Sequence, residues 1–138
     1  MKTSQIIAAY NALSGSKLTS MNGAGKIKVV KNVMAMKPIQ TAYMDYVQET
    51  VKKLKPEWMD EEKEKEWGKN GMNSTILTST EKAEARQYMS DADECLKDEF
   101  EKEHELDLKK LTDEEFEQFA ESNDFTTGQL IELMNILQ

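Results

Sequence analysis

The stretch IQTAYMDYVQETVKKL, residues 39–54, decides the fold class. Ile39, Tyr43, Tyr46, Val47, Val51 and Leu54 recur at helical spacing, with Gln40, Thr41, Asp45, Gln48, Glu49 and Lys52 between them. That period predicts an amphipathic helix with one apolar stripe. Pro56 limits it, so the helix is expected to end near residue 55. Upstream, Ile27, Val30 and Met34 keep the same spacing from about Lys26 onward. Pro38 lies between the two runs. Proline has no amide hydrogen and clashes with the preceding turn, so this second helix is expected to kink or restart there.

Moving outward, Thr3 or Ser4 is placed to cap a first helix carrying Ile6, Tyr10 and Leu13 on one face. Ser14-Gly15-Ser16 ends it, and residues 19–25 read as a flexible turn. On the other side, residues 57–67 are dense in charge, and Gly68 and Asn70-Gly71 break the run. Trp58 and Trp67 would fall on opposite sides of an ideal helix, so only one is expected to face a core. Residues 72–78 are rich in Thr and Ile without a helical period and read as a short strand. Thr78 and Glu81 have capping-box spacing. They open a third helix with the stripe Ala85, Met89, Ala92, Leu96 and Phe100, widened by Tyr88 and Cys95. Near His104 the period shifts to two, with Leu106 and Leu108 alternating with charges. Residues 104–109 are therefore expected to be extended, and to pair with 72–78 as a small two-stranded ribbon. Two more boxes, Thr112 with Glu115 and Thr126 with Gln129, open two short C-terminal helices.

The expected fold is mainly α: one domain over residues 1–138 with a Pro38-kinked second helix, a minor ribbon and two short closing helices. Its expected core is Ile6, Tyr10, Leu13, Val30, Met34, Ile39, Tyr43, Tyr46, Val47, Met89, Leu96, Phe116, Phe119, Leu130 and Met134. Nine Met in 138 residues point to an adaptable core or contact surface.

Charge divides the chain into a basic part, 1–56, and an acidic part, 57–138. Up to Pro56 there are nine Lys, no Arg and two acids; beyond it, nine Lys plus Arg stand against 24 acids, and the whole chain carries −8. Lys17, Lys26, Lys28, Lys31 and Lys37 are the candidate anion contacts. Arg, which suits bidentate phosphate and base contacts, is missing from this half, as is any aromatic between Lys17 and Lys37. Specific nucleic-acid reading is therefore disfavoured, and the preferred reading sets these lysines against the acidic third helix of the same fold.

The motifs speak against an enzyme. Gly23-Ala24-Gly25-Lys26 has a phosphate loop's flavour, but Ser20 and Ile27 stand where that motif needs Gly and Ser or Thr, and no strand precedes it. Glu101-x-x-His104 has the spacing of a di-iron ligand pair. His104 is the sole histidine, so only a homodimer would supply a second copy; the plainer reading is an exposed histidine among acids. Any Ser-His or Cys-His nucleophile would need that same residue. Cys95, the one cysteine, is flanked by acids and reads as a small apolar helix residue; no internal disulfide is available. No cofactor or metal site is expected. No apolar run is long enough to span a bilayer and no signal-peptide core is seen. The expected location is the cytoplasm of the cell or the virion, without a membrane.

The order of short motifs carries a resemblance. Ala9-Tyr10-Asn11-x-Leu13 is followed by a Lys-rich helix into Lys37-Pro38-Ile39, then Tyr43-x-x-Tyr46 and the Asn70-Gly71 turn. A third helix runs into Glu103-x-Glu105-Leu106-Asp107-Leu108, and a short capped helix and a Leu-rich end close the chain. This order resembles small accessory proteins of unknown function encoded in tailed bacteriophages and prophages, often near structural genes. The resemblance spans most of the chain. It implies a mostly helical accessory or assembly protein and transfers no catalytic or binding residue.

The expected function is a non-enzymatic, phage-derived interaction protein that binds a protein partner, or itself as a homodimer, through a helical surface. Ile39, Tyr43, Tyr46 and Val47 are the candidate surface wherever their stripe is exposed. The alternatives are a nonspecific nucleic-acid or anion-binding module using the Lys-rich part, or an acidic nucleic-acid mimic.

Overall fold

A computed structural model describes residues 1–138. It contains six α-helices: α1 Thr3–Ser14, α2 Gly23–Leu54, α3 Glu61–Asn70, α4 Ser79–Glu101, α5 Asp113–Glu121 and α6 Thr127–Leu137. A single 3₁₀ turn, Gly71–Asn73, follows α3. The mainly α class is as expected. The chain forms two compact units. One joins Met1–Tyr43 to Glu101–Gln138, and the other is Met44–Phe100. The step in charge at Pro56 falls inside the second unit.

The first unit holds the larger core. Ile6, Ala9 and Leu13 of α1 meet Val29 and Met36 of α2, Phe116 and Phe119 of α5, and Leu133 and Leu137 of α6. Phe119 packs at 5.4 Å from Phe125 and 6.4 Å from Phe116, centroid to centroid, in tilted geometries that favour edge contacts. Residues 1–43, which carry six Lys and no acid, are thereby folded together with 101–138, which carry three Lys and eleven acids. The contrast between the two ends of the chain is largely neutralised within this unit.

Two non-helical segments are fixed by asparagine side chains. Asn32, 1 % exposed, donates from Nδ2 to the Lys109 carbonyl (2.9 Å) and accepts from the Lys109 amide (2.6 Å). Asn123 does the same for Lys17, at 2.8 and 2.7 Å. A carboxamide presents a donor and an acceptor side by side, as a neighbouring strand would. The stretch before α2 is thus not a free turn: Ser20 and Asn22 amides also donate to Ser122 Oγ (2.9 Å) and Gln118 Oε1 (2.9 Å). Residues 104–109 lie outside any helix, as expected.

The expected ribbon does not form. The 72–78 stretch is the end of the 3₁₀ turn followed by bends, held by Ser74 Oγ accepting from the Ile76 and Leu77 amides, both at 3.2 Å. A short Ser-centred turn meets the backbone's hydrogen-bonding need that a strand partner would otherwise meet. The one antiparallel backbone pairing joins Lys2 to Glu103.

Other expectations change in detail. α2 runs unbroken through Pro38, so the helix does not restart there. Pro38 is exposed. The amide it lacks would have served the carbonyl of Met34, a residue that is itself 67 % exposed. The charged run after Pro56 is a helix in its own right, α3, which Asp60 starts by accepting from the Lys63 amide at 2.9 Å. Trp58 precedes α3, so both tryptophans are half-buried rather than one. Thr3 is the first helical residue and is buried; its hydroxyl faces Lys102 and His104, and Gln5 Oε1 accepts from the Lys2 amide instead.

The second unit buries fewer side chains: Met59, Leu77, Ala85 and Ala92, with Thr50 and Ser74. Polar contacts reinforce it. Lys63 reaches Glu81 at 2.7 Å and lies 5.8 Å from the Trp58 ring centroid; Trp58 donates to Glu84 at 2.6 Å; Lys55 pairs with Glu64.

Four residues expected in the core are exposed: Val30, Met34, Met89 and Met134. On α2 the buried face is Gly25, Val29, Asn32 and Met36. A glycine and an asparagine interrupt its apolar pattern, so the outward stripe reads as the stronger one. On α6 apolar residues surround the helix, and Leu133 and Leu137 face inward in place of Met134. On α4 the small residues Ala85 and Ala92 are buried while Met89 turns out.

Candidate functional site

The outward face of α2 in the first unit carries Ile27, Val30 and Met34, which are 57 %, 48 % and 67 % exposed. Their i, i+3, i+7 spacing places them on one stripe. Lys26, Lys31 and Lys37 are exposed beside it. At 100° per residue, Lys26 and Lys37 border one side and Lys31 the other. None of these three lysines, nor exposed Lys17, takes part in an ion pair, and no Asp or Glu occurs before Asp45.

Lys28 differs from the rest of the set. Its Nζ lies 2.8 Å from Glu115 Oε1, and Glu115 is 5 % exposed. The Lys28 ammonium, helped by Thr112, holds this carboxyl below the usual range against the opposing effect of burial. Glu115 Oε2 has no hydrogen-bond partner. The expected match between the lysines and the third helix is therefore replaced by one pair with α5. Four of the five candidate anion contacts stay unpaired on the surface, because the acids that share their unit lie in residues 101–138 and only Glu115 reaches the set.

The other sequence-derived candidates lose their chemistry. Gly25 packs on Glu115: a Cβ there would lie 3.3 Å from Glu115 Cγ and 2.8 Å from Met21 Cε. A carboxylate thus sits beside the would-be phosphate loop, and the Gly25 amide is already given to Asn22 Oδ1 at 2.7 Å. α4 ends at Glu101, so Glu101 and His104 do not share a helical face. Glu101 accepts from Lys2 at 2.5 Å, and His104, half-buried rather than exposed, sets Nε2 2.8 Å from Thr3 Oγ1. No cluster of three or more His, Cys, Asp or Glu side chains is placed to hold a metal.

Ile39 and Tyr43 in the first unit, and Tyr46 and Val47 in the second, are each half-buried, so the α2 residues with most apolar surface in solvent lie earlier in the helix. Ile27 was visible in the sequence only through its helical spacing with Val30 and Met34; its exposure depends on which α2 face receives α5 and the 104–110 segment.

Several concavities remain; a shallow, open one of about 630 Å³ is lined by Met1, His104, Glu105, Leu106 and Asp107. An open groove of about 430 Å³ runs between α1 and α6, floored by Ala8, Ala9, Ala12, Leu133 and Ile136. A smaller one of about 250 Å³ in the second unit is lined by Tyr46, Thr50, Leu54 and Cys95 with Glu49 and Lys53 at its edge. In the smaller one Glu49, Lys53 and Cys95 share the lining with no hydrogen bond or ion pair joining them. No helix is long and apolar enough to cross a membrane. No known family model matches the chain, and no curated protein or solved structure matches it significantly.

Proposed function

We propose that this chain is a non-enzymatic interaction protein of the phage accessory type, and that it binds a protein partner through the outward face of α2. The observation that carries this reading is the exposed stripe Ile27, Val30 and Met34 on a long, regular helix. Large apolar side chains aligned on one face raise the free energy in water, and a partner that covers them lowers it. The half-buried Ile39 continues the same helix. The motif order of the sequence, which resembles small tailed-phage proteins, supports an accessory or assembly role.

The unpaired Lys17, Lys26, Lys31 and Lys37 favour a second reading, a nonspecific anion-binding module. The apolar stripe between three of them counts against it, since phosphate contact would leave those side chains in water. The first unit also carries two more acids than lysines.

The test pairs two measurements on the full chain. A photo-crosslinking residue at position 30 is expected to trap a protein in producing cells, whereas one at exposed Glu117 is not. Labelled duplex and single-stranded DNA are expected not to bind at low salt. Salt-sensitive DNA binding lost on changing Lys26, Lys31 and Lys37 to Gln, without crosslinks at position 30, replaces the first reading with the second.

A further inference from the structure

We infer that the α2 face takes an acidic amphipathic helix of a partner protein: apolar residues at i, i+3 or i+4, and i+7, bordered on both sides by Asp or Glu. This inference rests on the docking reading above and adds the chemistry of the occupant. The argument is one of charge complementarity. The stripe of Ile27, Val30 and Met34 has an unpaired ammonium group on each border, Lys31 on one side and Lys26 with Lys37 on the other. There is no carboxylate in residues 1–43 to balance them. A second copy of the same face would set lysine against lysine, so a symmetric α2–α2 pair is repelled. The exposed apolar stripe of α6, Ile131 and Met134, is bordered by Glu132 alone and does not match three lysines.

An anionic lipid surface is the other partner that pairs apolar with basic. It is disfavoured here because the stripe contains no Trp, Phe or Leu and the chain carries a net −8. A helix laid along the stripe would bury the three apolar side chains and bring its acids to the three ammonium groups, as in helix-in-groove recognition. The ion pairs would be partly exposed. They would choose the partner and its orientation more than they tighten the complex.

The test uses three synthetic helical peptides with one apolar stripe and borders of Glu, Gln or Lys, measured by fluorescence anisotropy against the full chain. The Glu peptide is expected to bind about tenfold more tightly than the Gln peptide, as three exposed ion pairs allow. The Lys peptide is expected to bind least, and the differences to shrink in high salt. K26E/K31E/K37E is expected to invert the order. These lysines are exposed and unpaired, so the variant should keep the wild-type circular dichroism and melting temperature. V30D/M34D is expected to lose all three peptides. Equal binding of the Glu and Gln peptides overturns the inference and leaves the docking reading standing. Binding of none of the peptides overturns both. Binding only to phosphatidylglycerol vesicles, lost in K26E/K31E/K37E, overturns both in favour of a lipid surface.

Discussion

Asn32 and Asn123 each do with one side chain what an added strand would do with its backbone. Both bond the amide and the carbonyl of a single residue, Lys109 and Lys17 respectively. Replacing Asn32 by Leu takes the partner from the part-buried amide and carbonyl of Lys109, at a cost of about 1–3 kcal/mol. Urea denaturation is expected to show a lower midpoint with an unchanged slope; an unchanged midpoint would refute this role. Asparagine on a helix reads as a solvent residue, which is why residue-level reasoning on α2 chose the wrong face. The buried face contains Gly25 and Asn32, neither of which raises an apolar signal, and both are explained only by what packs on them. Glu115 gives a second prediction at this scale. Its pKa lies below the ordinary 4.5 in the folded state, so its stabilising effect is present above that value and is lost as pH falls through the folded pKa. Glu115→Gln is expected to lower the melting temperature at pH 7, and the gap from wild type should narrow on acidification below about 4.5. A gap that is constant with pH contradicts the Lys28–Glu115 assignment.

At the scale of elements, helix starts were the most legible feature. The boxes at Thr78–Glu81 and Thr126–Gln129 are both closed in both directions, at 3.0–3.2 Å. Thr112 accepts from the Glu115 amide at 3.1 Å. These signals are local, so a sequence reading can find them. α3 escaped because Lys63 stands where a capping box has Glu or Gln, and Gly68 argues for a break although it lies within the helix. The cap at Asp60 is nevertheless sound, with three acids in the first turn favourably placed against the helix dipole. Asp60→Ala is expected to cost about 0.5–2 kcal/mol. Amide exchange in α3 should accelerate selectively, and unchanged protection there would show that tertiary contacts alone hold the helix. The ribbon failed for a nonlocal reason. The backbone of 104–110 found Asn32 and the chain's N-terminal residues, while Ser74 closed the 72–78 stretch on itself. Nothing within either segment distinguishes those partners from each other.

At the scale of the whole molecule, the first unit is built from both ends of the chain, and this arrangement joins a lysine-only segment to an acidic one. The contrast in charge was plain from the sequence; which acids meet which lysines was not, because pairing follows from the topology. Ending the chain after Phe100 removes Leu108, Leu111, Phe116, Phe119, Leu133 and Leu137 from the core. Amides of α1 are then expected to exchange at unfolded rates, and continued protection of α1 would contradict the shared core. That same core turns Val29 and Met36 inward and leaves Ile27, Val30 and Met34 facing out between unpaired lysines. The most direct test of this surface is an NMR titration of the isotope-labelled full chain with the Glu-bordered helical peptide. Shifts are expected to cluster on Lys26, Ile27, Val30, Lys31, Met34 and Lys37, with the inward residues Val29, Asn32 and Met36 little changed; shifts confined to the groove between α1 and α6, or none at saturating peptide, would contradict the account.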